Sequence, residues 1–112
     1  MSNLEDIKAK PVKITKDEQE LSLEFDYAAL AILEEKTDKG VFYIQQLIFE
    51  NNLKLADFIE LFCAGLNRHH DKKTIQSVRN ILHKDYYLIN KYQKKAIEAF
   101  IKAFVPIEGF SE

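Results

Sequence analysis

The chain has one cysteine, two prolines, three glycines and no tryptophan in 112 residues. Each scarcity excludes something. A lone cysteine, Cys63, rules out an intramolecular disulfide framework and fits a reducing cytosol. The three glycines stand isolated at 40, 65 and 109, so no glycine-rich phosphate loop is present. Apolar runs are short and interrupted by charge, so no segment is long enough to span a bilayer. The opening MSNLEDIKAK lacks the apolar centre of a secretory signal.

Apolar residues make up 46% and charged residues 30%, the balance of a globular, helix-rich chain rather than a disordered one. A domain of this size buries roughly 65% of its unfolded surface, enough for a single core. Residues 1–9 read as a frayed N-terminus, 10–104 as one globular domain and 105–112 as a C-terminal tail.

Charge is unevenly spread. Residues 1–66 carry seven Lys/Arg and thirteen Asp/Glu, a balance of −6. Residues 67–104 carry nine against three, +6, and the last eight add −2, which sums to the net −2. Such a chain can attract a copy of itself head to tail or offer its basic half to an acidic partner. The plainer alternative is two solvated faces.

Val12 and Ile14 alternate with polar residues, as do Leu21, Leu23 and Phe25. Period two predicts strands Lys10–Thr15 and Glu20–Phe25, with Lys16-Asp17-Glu18-Gln19 as the turn. Asp26 is placed to cap a helix over Tyr27–Lys36, with Leu30 and Leu33 on one side and Gly40 as its left-handed terminator. Val41–Glu50 reads as a short helix, with Val41, Ile44, Leu47 and Ile48 on one stripe and Phe42 and Phe49 on another. After Asn51-Asn52, Leu55–Leu66 is the most apolar helix and the expected centre. Its stripe is Leu55, Phe58, Ile59, Phe62 and Leu66, widened by Leu61 and Cys63. Thr74 is the expected cap of Ile75–Lys84, and Asp85 that of Tyr86–Phe104. Pro106 forbids continuation. The expected fold is therefore α+β, mainly α: an N-terminal β-hairpin packed on a bundle of about five helices.

The stretch FCAGLNRHHDK, Phe62–Lys72, gathers cysteine, glycine, two histidines and an aspartate. Zinc needs three or four converging ligands. His69 and His70 are neighbours, which on a helix point ~100° apart. Cys63 sits on an apolar stripe, and His83 is far along the chain. Burial among Phe58, Ile59, Phe62 and Leu66 would raise the thiol pKa, the opposite of what nucleophilic catalysis requires. The residues therefore point to no catalytic, cofactor or metal site. Gly65 serves either close packing of a neighbour or the start of a turn.

Two binding chemistries remain. The segment 75–104 is basic, with Tyr86, Tyr87 and Tyr92 among lysines, a pattern compatible with a small nucleic-acid-binding regulator. Against it, the tyrosines fit the core stripe of a helix or its edges, and the chain as a whole is acidic. The second chemistry is protein binding. Phe42 and Phe49 are the candidate contact residues, with core packing as the alternative. Ile107 and Phe110 in the tail raise the same question.

The order hairpin, helix, short helix, apolar helix and capped helix carries a resemblance. VKI…LSLEFDYAALAILEEKT (Val12–Thr37) and LFCAGLNRHHDKKTIQSV (Leu61–Val78) resemble the tail assembly chaperones of long-tailed bacteriophages, including the branch related to gene-transfer-agent tail proteins. The likeness covers residues 12–85. It departs at the hairpin turn, where Asp17-Glu18-Gln19 stands in place of the glycine frequent in that family. It implies that Ala64-Gly65-Leu66 and His69-His70-Asp71 are a structural turn between two helices. It implies a non-enzymatic, cofactor-free assembly factor that binds the tape measure protein, recruits major tail (tube) protein and self-associates. Its place would be the cytoplasm of the bacterial host, and it would be absent from the mature virion. No membrane partner is implied. In that family a frameshift near the end of the gene often adds a second, longer product.

Overall fold

The computed structural model describes residues 12–16 and 19–104. Its elements are β1 (Val12–Lys16), β2 (Gln19–Leu23), α1 (Tyr27–Thr37), α2 (Val41–Phe49), α3 (Leu55–Gly65), α4 (Lys72–Lys84) and α5 (Tyr86–Lys102). The architecture is a mainly helical bundle.

Apolar spacing makes α3 the hub. Phe58, Ile59, Leu61, Phe62, Cys63, Ala64 and Gly65 are all buried. The helix touches α1, α4, α5 and β2. Leu33 of α1, Val78 and Leu82 of α4, and Ile89, Tyr92, Ala96 and Phe100 of α5 close the core around it. Phe62 meets Phe58 at 6.3 Å and Tyr92 at 5.9 Å between ring centroids. Leu55, expected on the inward stripe, is 44% exposed: it is the first residue of α3 and opens onto a surface groove.

The two short strands pair antiparallel, with Val12 opposite Leu23, Ile14 opposite Leu21 and Lys16 opposite Gln19. Lys16 and Gln19 are thus strand residues rather than turn residues. Asp17 and Glu18 lie outside the described residues, as do Lys10 and Pro11. β2 ends at Leu23, short of the expected Phe25, because the Glu24 N–H donates to Gly65 O at 2.9 Å instead of continuing a ladder. Burial still alternates: Leu21, Leu23 and Phe25 are buried and Ser22 and Glu24 half-buried.

Asp26 caps α1 by accepting from Ala29 N–H at 2.9 Å. The left-handed terminator is Asp38 (φ 58°), not Gly40, because a short polar side chain tolerates that conformation. Gly40 is extended and becomes the N-cap of α2, where Glu34 Oε2 accepts from Val41 N–H at 2.9 Å. Asn51 (φ 57°) ends α2, with its own N–H bonded to Ile48 O and that of Asn52 bonded to Leu47 O. The cap of α4 is Asp71, three residues before the expected cap. Its Oδ1 accepts from Thr74 N–H at 2.8 Å, so Thr74 is the donor in the first turn rather than the cap. Asp85 caps α5, as its position predicts, accepting from Tyr87 N–H at 3.1 Å. α5 stops at Lys102, two residues short of Phe104.

Candidate functional site: an exposed aromatic face and the clasp behind it

α2 is short, and every apolar residue on it has to face somewhere. Val41, Ile44 and Leu47 are buried and anchor the helix. Seven residues are nearly two helical turns, so Phe42 and Phe49 share a face. That face is open: Phe42 is 73% and Phe49 71% exposed, and Tyr43 is exposed beside them. Isolated surface rings are common, and several together on one short helix make this face the candidate contact surface.

Phe42 is not isolated from the core. Its ring lies 5.7 Å from that of Phe104, which is 5.0 Å from Phe100, which meets Phe25 edge-on at 5.5 Å. Four rings thus run from the buried centre to the surface of α2. Ile107 and Phe110, the other two candidate contact residues, lie outside the described residues.

Phe25 leads to the stretch Ala64–Asp71. Gly65 faces the Phe25 ring so closely that a Cβ there would sit 2.9 Å from two ring carbons and 3.1 Å from Leu23 Cδ2. Close packing is therefore the reason for glycine at this position. Beyond it the chain turns and grips the β2 end. His70 Nε2 accepts from Ser22 N–H at 2.9 Å, His69 Nε2 lies 2.7 Å from Glu24 Oε1, and Arg68 Nη1 donates to Asp26 Oδ2 at 3.2 Å. The histidines are not in a free loop; they bind residues more than forty positions away. Period and spacing carry no signal for such contacts, which exist only once β2 and α3 are side by side.

Electrostatics follow from these bonds. Burial lowers the His70 pKa below its ordinary 6.5, with His69 adding to the effect and Asp71 opposing it. A neutral ring is what the Ser22 bond needs, since Nε2 accepts only when the proton is on Nδ1. The Thr74 backbone N–H, then its hydroxyl, holds the Asp71 carboxyl below the usual range. Burial pushes the Cys63 thiol up to about 11, so it stays protonated at neutral pH.

A cavity of about 260 Å³ lies between α1, α3 and α4, lined by Cys63, Lys36, Lys72 and the Glu60–Arg79 ion pair. Glu60 raises the Arg79 pKa through that bond. Its other oxygen, Oε1, is buried without a partner. Asp57 Oδ2 is held by Lys39 Nζ at 3.0 Å as a charge contact without a well-aligned hydrogen bond.

Among the described residues no group of three or more His, Cys, Asp or Glu is placed to hold a metal ion, and no helix is long and apolar enough to cross a membrane. Of the tyrosines expected on the core stripe or its edges, Tyr92 is buried, but Tyr86 and Tyr87 stand 72% and 69% exposed at the start of α5. Compared with family models, curated proteins and solved structures, the chain matches none significantly.

Proposed function

We propose that this chain is a tail assembly chaperone of a long-tailed bacteriophage or prophage, a binder of polypeptides that makes and breaks no covalent bond. The reading rests on the likeness of Val12–Thr37 and Leu61–Val78 to that family, and on the order of paired strands, helix, short helix, apolar helix and capped helix. The observation that carries it is the exposure of Phe42 and Phe49 on a helix whose opposite side is locked into the core.

A tape measure protein is long and largely helical, and its chaperone must cover apolar surface reversibly. Burying two phenylalanine rings contributes roughly 3–6 kcal/mol before ordering costs, a strength suited to many weak contacts along one chain. Anchoring of α2 by Val41, Ile44 and Leu47 fixes the rings in place, which lowers the ordering cost. The same reading places the protein in the host cytoplasm, leaves it out of the finished particle, and has it recruit tube subunits to the tape measure.

The test is co-expression with the tape measure protein encoded beside it. Wild-type protein should keep the tape measure soluble and co-purify with it, and Phe42→Ser with Phe49→Ser should lose it. A wild-type protein that leaves the tape measure insoluble and unbound would end the proposal.

Exposure of Tyr86 and Tyr87 near Lys91, Lys94 and Lys95 favours a second reading, a small nucleic-acid-binding regulator. A salt titration of DNA binding separates the two. The regulator predicts a steep loss of affinity with salt and a preferred sequence, and the chaperone predicts neither.

A further inference from the structure

A groove of about 280 Å³ lies between Leu53, the start of α3 and the first half of α5. Phe58 and Ile89 form its buried floor, and Leu55 and Tyr86 are its exposed apolar rim. The side chains of Asn90 and Gln93 complete the wall. Lys54 is exposed between Leu53 and Leu55. Lys94 is exposed one turn beyond Asn90, on the same side of α5. Of the acids nearest in sequence, Asp57 is paired with Lys39, whereas Glu50 and Asp85 are hydrogen-bonded by neutral groups, the Gln46 amide and the Tyr87 N–H. Its apolar floor and rim, with Lys54 and Lys94 beside them, favour a segment that carries large apolar side chains and carboxylates.

The chain carries such a segment just beyond the described residues. Val105–Glu112, VPIEGFSE, has Ile107 and Phe110, the acids Glu108 and Glu112, and no cation. Three extended residues separate Ile107 from Phe110 by ~10 Å, and the groove wall from Tyr86 to Gln93 rises ~10.5 Å along α5. The two lengths match. Ile107 and Phe110 cannot both seat in the groove of their own chain. Gln93 lies eleven residues, ~16 Å at helical rise, behind Phe104, whereas Ile107 extends at most ~11 Å beyond it.

We propose that Ile107 and Phe110 of one copy seat in the Leu55–Tyr86 groove of a second copy, so that the chain assembles head to tail. The contact is heterologous, each copy offering one tail and one groove, so it propagates instead of closing as a dimer. It uses a different surface from Phe42 and Phe49, and holds whatever partner those rings engage.

Sedimentation velocity of the full chain tests it. The average mass of the wild type should rise with concentration. Phe110→Asp, which lacks the tail anchor, should stay monomeric, and so should Leu55→Asp with Tyr86→Ala, which lacks the groove. Mixed in equal amounts, the two should give a dimer that grows no further, because one intact tail meets one intact groove. Lys54→Glu with Lys94→Glu, a surface change that leaves the floor untouched, should weaken association about tenfold at low salt and less at high salt. The free peptide VPIEGFSE should disperse the wild-type assemblies. The proposal is overturned by a wild type that is monomeric at every concentration, by single variants that still associate, by a mixture that stays monomeric, or by a peptide without effect. If the groove variant unfolds, the lysine pair and the peptide decide.

Discussion

The clasp around Gly65 and the outer face of α2 treat the same kind of side chain in opposite ways. At the clasp, Phe25 is buried between Gly65 and Phe100, and the polar groups around it are bonded across the fold: Glu24 N–H to Gly65 O, Ser22 N–H to His70 and Arg68 to Asp26. On α2, Phe42 and Phe49 stand largely in water, and among the described residues only Phe42 has a ring neighbour, Phe104. Burial at the clasp holds the fold together. Exposure on α2 leaves apolar surface uncovered by the described residues, which is the division the proposed binding role requires.

The sharpest way to break this contrast is to remove one ring from each class. Phe62→Ala, at the centre of α3, should lower unfolding stability by about 3–5 kcal/mol, read from urea denaturation. Gly65→Val comes next. The new side chain would collide with a Phe25 ring that Phe100 prevents from retreating, and a loss of about 1–3 kcal/mol is expected in the same measurement. A smaller loss for Gly65→Val than for an exposed-site control would show that the clasp is loose.

Much of this contrast is visible in the residues themselves. The α3 stripe from Phe58 to Leu66, the Asp26 and Asp85 caps and the twin stripes of α2 follow from spacing and side-chain chemistry. What spacing leaves open is whether Phe42 and Phe49 are core, because a face is buried or exposed only by what the rest of the chain does around it. The clasp was less legible still. Residues 69 and 70 look like loop histidines until β2 is placed beside them, and Asp71 looks like part of that loop until its carboxylate is seen to take the Thr74 N–H. Glycine adopts positive φ at less cost than aspartate, but α1 ends at Thr37, so the left-handed position falls on Asp38 and not on Gly40.

The His70 bond refines the clasp further. The folded ring binds protons less readily than the unfolded one, so between the folded pKa and 6.5 the unfolded state holds more protons. Its stabilising contribution is complete above 6.5 and is lost as the pH falls through the folded value. His70→Ala strands the Ser22 N–H, and should cost about 1 kcal/mol at pH 7.5 and less at pH 5. A wild-type-to-variant difference that stays constant over this range would separate the Ser22 bond from the titration.

The smallest effect is expected at Phe49. Replacing it with alanine should leave stability within about 0.5 kcal/mol of wild type, since the ring is already 71% exposed.

The most direct measurement is the urea unfolding curve of Phe42→Ser with Phe49→Ser. If these rings serve partners and not the core, the double variant unfolds cooperatively within about 1 kcal/mol of the wild type, the difference reflecting the Phe42–Phe104 contact. A loss of about 3 kcal/mol or more would make them structural and contradict the account.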